Sequence, residues 1–279
     1  MVLAALLLCL PADKLVSDGV ERTYEVYAPK SAPPRAPALV VLHGLASSGH
    51  EFRGVSGFDA EADAHGFVAV YPDGVGQRWL DARQLTLPPE KRFPGADDAR
   101  FILKLIDTLA AKGLVDPARV YVAGNSNGAM MTLTLACAHA DRFVGIGVVS
   151  GALPKVPCAP ARALAAIFFQ GTDDPLIPFK GGGVGPNGER GFVESADDTV
   201  KVFADKAGCK PGKKRMPNLG KAMGDGTALV VEERAECAVP VARVIIDKGG
   251  HGWPGRPHGS DKIDATHAIA AFFFEAKLP

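Results

Sequence analysis

The chain has 279 residues, of which 47% are hydrophobic and 22% charged, the mix of an ordinary globular domain and not of a disordered or fibrous chain. Lys plus Arg and Asp plus Glu each total 31, so the formal net charge is zero. That balance gives no electrostatic pull toward nucleic acid or an anionic membrane; residues 13–279 are expected to form a single domain, and a monomer is expected.

In chain order, the apolar run Val2–Leu10 comes first, followed by Pro11-Ala12-Asp13. It is too short to span a bilayer. It resembles the hydrophobic stretch of a secretory signal whose basic start is missing, with processing expected after Ala12. Residues 1–12 are therefore read as a truncated leader and the protein as secreted or periplasmic. Arg22–Ala28 alternates in the manner of an edge strand. Ala38–His43 and Phe67–Tyr71 are short apolar runs ending in turn residues. Asp97–Lys112 carries Phe101, Leu105, Ile106 and Leu109 at helical spacing. Strand Arg119–Ala123 leads through Gly124-Asn125-Ser126-Asn127-Gly128 into an apolar helix that runs to about Ala138. Further strands are expected at Phe143–Val149, Leu164–Gln170, Ala228–Glu233 and Ala242–Ile246, with helices at Val193–Ala207 and Asp261–Ala276. Alternating strands and helices predict a mostly parallel sheet covered on both faces, with ligands bound beyond the carboxyl ends of the strands.

Residues 178–191 read as one glycine-rich surface loop. They contain Gly183-Val184-Gly185-Pro186-Asn187-Gly188, a literal G-x-G-x-x-G, but it follows Pro178 instead of a strand, and Pro186 and Asn187 stand where a helix should open, so it is read as a flexible loop and not as a nucleotide site. The basic run from Lys210 to Arg215 holds Pro211 and Gly212 and reads as a solvated loop. Of five cysteines, Cys9 lies in the expected leader. The other four lack any C-x-x-C spacing and point away from zinc. The two sequence-local pairings, Cys137–Cys158 and Cys209–Cys237, are expected as disulfides, which implies an oxidising compartment.

The chemistry is concentrated in Gly124–Gly128. A serine between two glycines, at a sharp turn from buried strand to apolar helix, is the nucleophile-elbow pattern. Its hydroxyl is inert at neutral pH without a base, and the base needs an orienting carboxylate. In chain order the acid falls in Gly171-Thr172-Asp173-Asp174-Pro175. Either aspartate could serve, and Pro175, which biases its predecessor toward an extended backbone, favours Asp174. The base falls after the last strand, in Gly249-Gly250-His251-Gly252-Trp253-Pro254. There His251 is preferred over His258, in a Pro/Gly-rich loop, and His267, at helical spacing. The backbone N–H groups of Leu45 and Asn127 are the expected oxyanion donors, with His43 anchoring the loop that carries Leu45. Trp79, Trp253 and Ile177 are expected to contact substrate. This chemistry requires no metal and no organic cofactor.

Together with His43-Gly44, Tyr71-Pro72-Asp73-Gly74 and Asp97-Asp98, these motifs resemble the secreted polyhydroxybutyrate depolymerase and feruloyl esterase-like α/β-hydrolases from about Arg22 to Phe274. The resemblance implies an α/β-hydrolase fold, with Ser126 as nucleophile, Asp174 as acid and His251 as base, and the same two disulfides. Three positions depart from the family pattern: Gln170 where a histidine is usual, Leu80 after Trp79, and Ala129 after the second glycine. They leave the three reactive residues in place and bear on substrate choice. The implied partner is an ester, either hydroxyalkanoate polyester or a feruloyl or acetyl ester of plant cell wall. A peptidase on the same fold, or a binding protein that kept a hydrolase scaffold, are the alternative readings.

Overall fold

The structure is a computed structural model that describes residues 12–215 and 226–275. The expected leader therefore lies outside the described residues, apart from Ala12. Ten strands form one sheet: β1 (Asp13–Ser17), β2 (Val20–Tyr27), β3 (Ala36–Leu42), β4 (Val68–Pro72), β5 (Val115–Asn125), β6 (Gly145–Val149), β7 (Ala165–Gly171), β10 (Lys210–Arg215), β11 (Ala228–Ala235) and β12 (Val241–Asp247). Their order is β1-β2-β4-β3-β5-β6-β7-β12-β11-β10. The middle, from β4 to β12, is parallel. Each margin is antiparallel.

The central strands read as near-continuous apolar runs because both of their faces are covered. In β3, Ala38, Val40 and Leu42 enter one core while Leu39 and Val41 enter the other. The first core is closed by α3 (Asp98–Ala111), α4 (Asn127–Ala138) and α5 (Ala196–Lys206), through Phe101, Leu105, Met131, Leu133, Val200 and Phe203. The second is closed by α1 (Gly49–Ser56), α2 (Phe58–His65) and α6 (Ala265–Phe274), through Phe52, Phe58, Ala62, Ile269 and Phe272. Each fully buried Leu or Phe contributes about 1.5–3 kcal/mol. Both expected disulfides are present, at sequence separations of 21 and 28 residues. Closing loops of that size removes about 3 kcal/mol of unfolded-chain entropy each.

Four sequence readings need correction. Strand β2 is not an edge, because β1 pairs along it; β1 is mostly exposed, so no alternation announces it. Helices α1 and α2 were not expected. The signal for α1 was the capping box in which Ser48 Oγ accepts from Glu51 N–H and Glu51 Oε2 accepts from Ser48 N–H; α2 begins after Gly57 with no side-chain cap. The basic run is strand β10 instead of a loop. An edge position with a register shift between Lys210 and Lys213 accommodates Pro211 and Gly212. Across 178–193 the chain turns through a short hairpin, with β8 (Gly182–Gly183) pairing β9 (Phe192–Val193), and buries Val184. No helix among the described residues is long and apolar enough to cross a membrane.

Candidate active site

The turn between β5 and α4 places Ser126 at φ 54° and ψ −116°, a conformation an L-residue adopts only when its surroundings enforce it. The flanking glycines supply the enforcement. A Cβ on Gly124 would lie 2.4 Å from the Gly128 carbonyl, and one on Gly128 would lie 2.2 Å from the Leu42 carbonyl oxygen. Strand, turn and helix are thus in backbone contact. The Ser126 N–H donates to the Val149 carbonyl, which pins the turn to β6. Ser126 caps α4, so the helix dipole and the free N–H groups of its first turn face the space above the hydroxyl.

Asp174 lies beyond the end of β7. Its Oδ1 accepts from the Leu176 and Ile177 N–H groups, both at 2.8 Å. Its Oδ2 lies 2.7 Å from His251 Nδ1. The carboxylate is nearly enclosed, with 3% of its side-chain surface exposed, while the imidazole keeps 15%. Asp173 instead points to Thr172 at the surface. The two loops are stitched together. The Asp173 N–H donates to the Gly249 carbonyl, and a Cβ on Gly171 would lie 2.2 Å from that same oxygen. Ser150, which sequence reasoning missed, ties this unit to the loop after β6. Its Oγ donates to the Gly252 carbonyl at 2.9 Å.

Ser126 and His251 line one cleft of about 520 Å³, together with Leu45, Trp79, Asn127 and Ile177. Its floor is apolar where Met130, Ile177 and Val184 pack together. Trp79 is a wall of this cleft but is almost wholly buried, with its Nε1–H donating to the His43 carbonyl. Trp253 does not reach the cleft, contrary to the sequence expectation. It is 2% exposed, packs edge-on against Phe52 and Phe58, and donates from Nε1–H to Thr266 Oγ1. Nearness in sequence to His251 did not fix which way its ring turns; the second core claimed it.

A polar scaffold behind the cleft was, apart from the anchoring His43, also invisible in the sequence. The Asn127 amide is fully engaged: Oδ1 accepts from Trp79 N–H, and Nδ2 donates to Trp79 O and Asp81 Oδ2. Asn127 itself lines the cleft. Asp81 in turn grips Arg83 through two hydrogen bonds at 2.8 and 2.7 Å. His43 is buried, and its Nε2 accepts from Gly74 N–H while Nδ1 meets the Gly44 carbonyl. That pattern requires the neutral ring with the proton on Nδ1, and burial lowers the His43 pKa accordingly. Asp98 holds the same segment from below, accepting from Leu80 N–H and pairing with buried Arg22 at 2.6 Å; burial raises its pKa despite those partners. Among the described residues, no group of three or more His, Cys, Asp or Glu side chains could hold a metal ion.

Residues 22–174 match the family model described as esterase PHB depolymerase. The chain belongs to the esterase PHB depolymerase family. NocK of Nocardia uniformis subsp. tsuyamanensis is 32% identical over 88% of this chain and 74% of its own length. Poly(3-hydroxyalkanoate) depolymerase C of Paucimonas lemoignei is 26% identical over 83% of this chain. The chain spans only 58% of that depolymerase. Esterase 2 of Thermogutta terrifontis, solved phosphonylated by cyclosarin, superposes with a TM-score of 0.59 at 16% identity, covering 96% of this chain and 95% of that one. That likeness fixes the α/β-hydrolase fold. Membership in the esterase PHB depolymerase family assigns carboxylic-ester hydrolysis as the class of chemistry.

Proposed function

We propose that the chain is an extracytoplasmic serine esterase that cleaves polymer-linked or short-chain esters through an acyl-enzyme at Ser126. The observation that carries this reading is the meeting of two units in one cleft: a strained serine at a helix N-terminus, and a histidine held at Nδ1 by an enclosed carboxylate.

His251 Nδ1–H donates to Asp174 Oδ2, which leaves Nε2 as the base. Nε2 takes the Ser126 hydroxyl proton as Oγ attacks the ester carbonyl carbon. The carbonyl π pair moves onto oxygen, and the Leu45 and Asn127 N–H groups stabilise that charge. When the tetrahedral species collapses, the C–O bond to the alcohol breaks and the leaving oxygen takes the proton from Nε2. Water then attacks acyl-Ser126 by the same route, its proton passing to Nε2 and on to Ser126 as the acid departs. The two disulfides support an oxidising location. The polyester named for the Paucimonas relative and the feruloyl and acetyl esters implied by the site motifs are the substrates to test first.

The test is a panel of methyl ferulate, acetylated xylan, polyhydroxybutyrate film and triacylglycerol, run beside Ser126→Ala. Release of acid from at least one, abolished in the variant, is expected. Turnover that survives in Ser126→Ala, or faster cleavage of a peptide anilide than of p-nitrophenyl acetate, would overturn the proposal.

A further inference from the structure

The charge lining the cleft is one-sided. Arg78, Arg83 and Arg190 all line it, and no Asp or Glu does. The three guanidinium groups are not equivalent. Arg83 is neutralised, since Asp81 accepts from both its Nε and Nη2 and its remaining Nη1 donates to the Arg190 carbonyl. Arg190 is half-exposed, and it pairs at 3.8 Å with Glu189, which is about as exposed. Arg78 differs from both. It is half-buried and makes no ion pair or hydrogen bond among the described residues. Its guanidinium carbon lies 4.7 Å from the Phe93 ring centroid.

That stacking matters for what Arg78 can do. A guanidinium lying on an aromatic face keeps its in-plane N–H donors available, and those donors match the two oxygens of a carboxylate. The platform is itself fixed, because Phe93 N–H donates to Gln84 Oε1 at 2.9 Å and Gln84 lines the same cleft. The backbone of Arg78 is fixed too, in a turn so tight that a Cβ on Gly74 would lie 2.2 Å from the Arg78 carbonyl oxygen. An unpaired cation held on an aromatic face in the substrate cleft is placed to meet a negative group on a bound ligand.

We infer that the cleft selects esters carrying a free carboxylate away from the scissile bond, with Arg78 as the carboxylate anchor and Arg190 adding to the field. The inference rests on the esterase reading above and narrows its substrate class. The shared chemistry is an anionic ester. The carboxylate belongs either to the acyl side, as in the half-ester of a dicarboxylic acid, or to the alcohol side, as in a hydroxy-acid oligomer ending in a free acid.

Two substrate pairs separate these sources. The acyl-side pair is mono-p-nitrophenyl glutarate against p-nitrophenyl valerate. The alcohol-side pair is 3-(butyryloxy)butanoate against its methyl ester. In at least one pair the wild type is expected to favour the anionic member about tenfold in kcat/KM, equivalent to about 1.4 kcal/mol, and mainly through KM. Arg78→Gln is expected to bring that ratio to within about twofold of one, whatever its absolute rate, with Arg78→Lys between. The wild type alone gives a second test that needs no variant: the ratio should shrink as salt rises from about 0.05 to 0.5 M, since screening shortens the reach of the charge. Hydrolysis of the neutral esters with no anionic preference in either pair, or a preference that Arg78→Gln leaves intact, overturns this inference and leaves the esterase reading standing. No hydrolysis of any of the four, with acid still released from the ferulate, xylan, polyester or triacylglycerol panel, overturns this inference alone; no hydrolysis of the four or of the panel overturns both.

Discussion

Substituting Gly128 by Ala tests whether backbone contact at the elbow positions the reacting groups. A Cβ there would lie 2.2 Å from the Leu42 carbonyl oxygen and 2.5 Å from that of His43, both backbone atoms that cannot swing aside. Ordinary contact begins at 3.4 Å, so α4 must retreat from β3 by roughly 1 Å, a strain of about 1–3 kcal/mol. The retreat carries the Asn127 N–H away from the loop that bears Leu45, and a misplacement of about 1 Å costs on the order of 100-fold in rate. Gly54→Ala in α1 is the control, because its added Cβ meets nothing within 4 Å. The assays are kcat/KM on p-nitrophenyl acetate and a thermal melt. Gly128→Ala is expected to lose about 100-fold in kcat/KM and to melt about 3–10 °C lower, with Gly54→Ala near wild type in both. If Gly128→Ala stays within threefold in kcat/KM, the reasoning about the elbow is wrong.

Asp174→Asn places an amide where one oxygen accepts two backbone N–H groups and the other meets His251 Nδ1. With the oxygen kept toward Leu176 and Ile177, the NH₂ donates to Nδ1, moves the ring proton to Nε2 and removes the base. A fall of about 10⁴-fold in kcat is expected from steady-state kinetics, and a fall below tenfold would refute the assigned role. Asp98→Leu strands the buried Arg22 charge and should cost about 3–5 kcal/mol in urea unfolding. Adding Arg22→Met should recover part of that loss, and strictly additive losses would contradict the pairing. His43 is held neutral by burial, so its folded pKa lies below the ordinary histidine value of about 6.5. The unfolded chain then takes the proton first as pH falls. The stability from neutral His43 is present above about pH 6.5 and drains away as pH drops toward the folded value. Melting temperatures taken from pH 7 to 5 should fall less steeply in His43→Gln than in wild type; parallel profiles would count against this assignment.

How much of this was legible in the sequence depended on what each segment faces. The central strands announce themselves because burial on both faces leaves unbroken apolar runs such as Val40-Val41-Leu42. The margins do not: β1 is largely exposed, and β10 is interrupted by Pro211 and Gly212, which only an edge tolerates. Ser126, Asp174 and His251 stand out as candidates because turn chemistry at strand ends restricts where such groups can stand. Trp253 could not be placed, since a ring beside a flexible glycine loop can turn to core or to cleft, and only packing decides. The support around the site was hidden for a related reason. The Asn127–Asp81 and His43–Gly74 contacts join segments 46 and 31 residues apart through single side chains, and no local pattern encodes such pairs.

The central claim is that residue 126 is the nucleophile and that residue 251 activates it. Labelling with a fluorophosphonate, digesting the chain and locating the adduct by mass spectrometry tests it most directly. The account predicts stoichiometric modification of the peptide containing Ser126, abolished in Ser126→Ala and slowed at least about 10³-fold in His251→Ala. Modification at another residue, or labelling of Ser126 at the wild-type rate without His251, would contradict it.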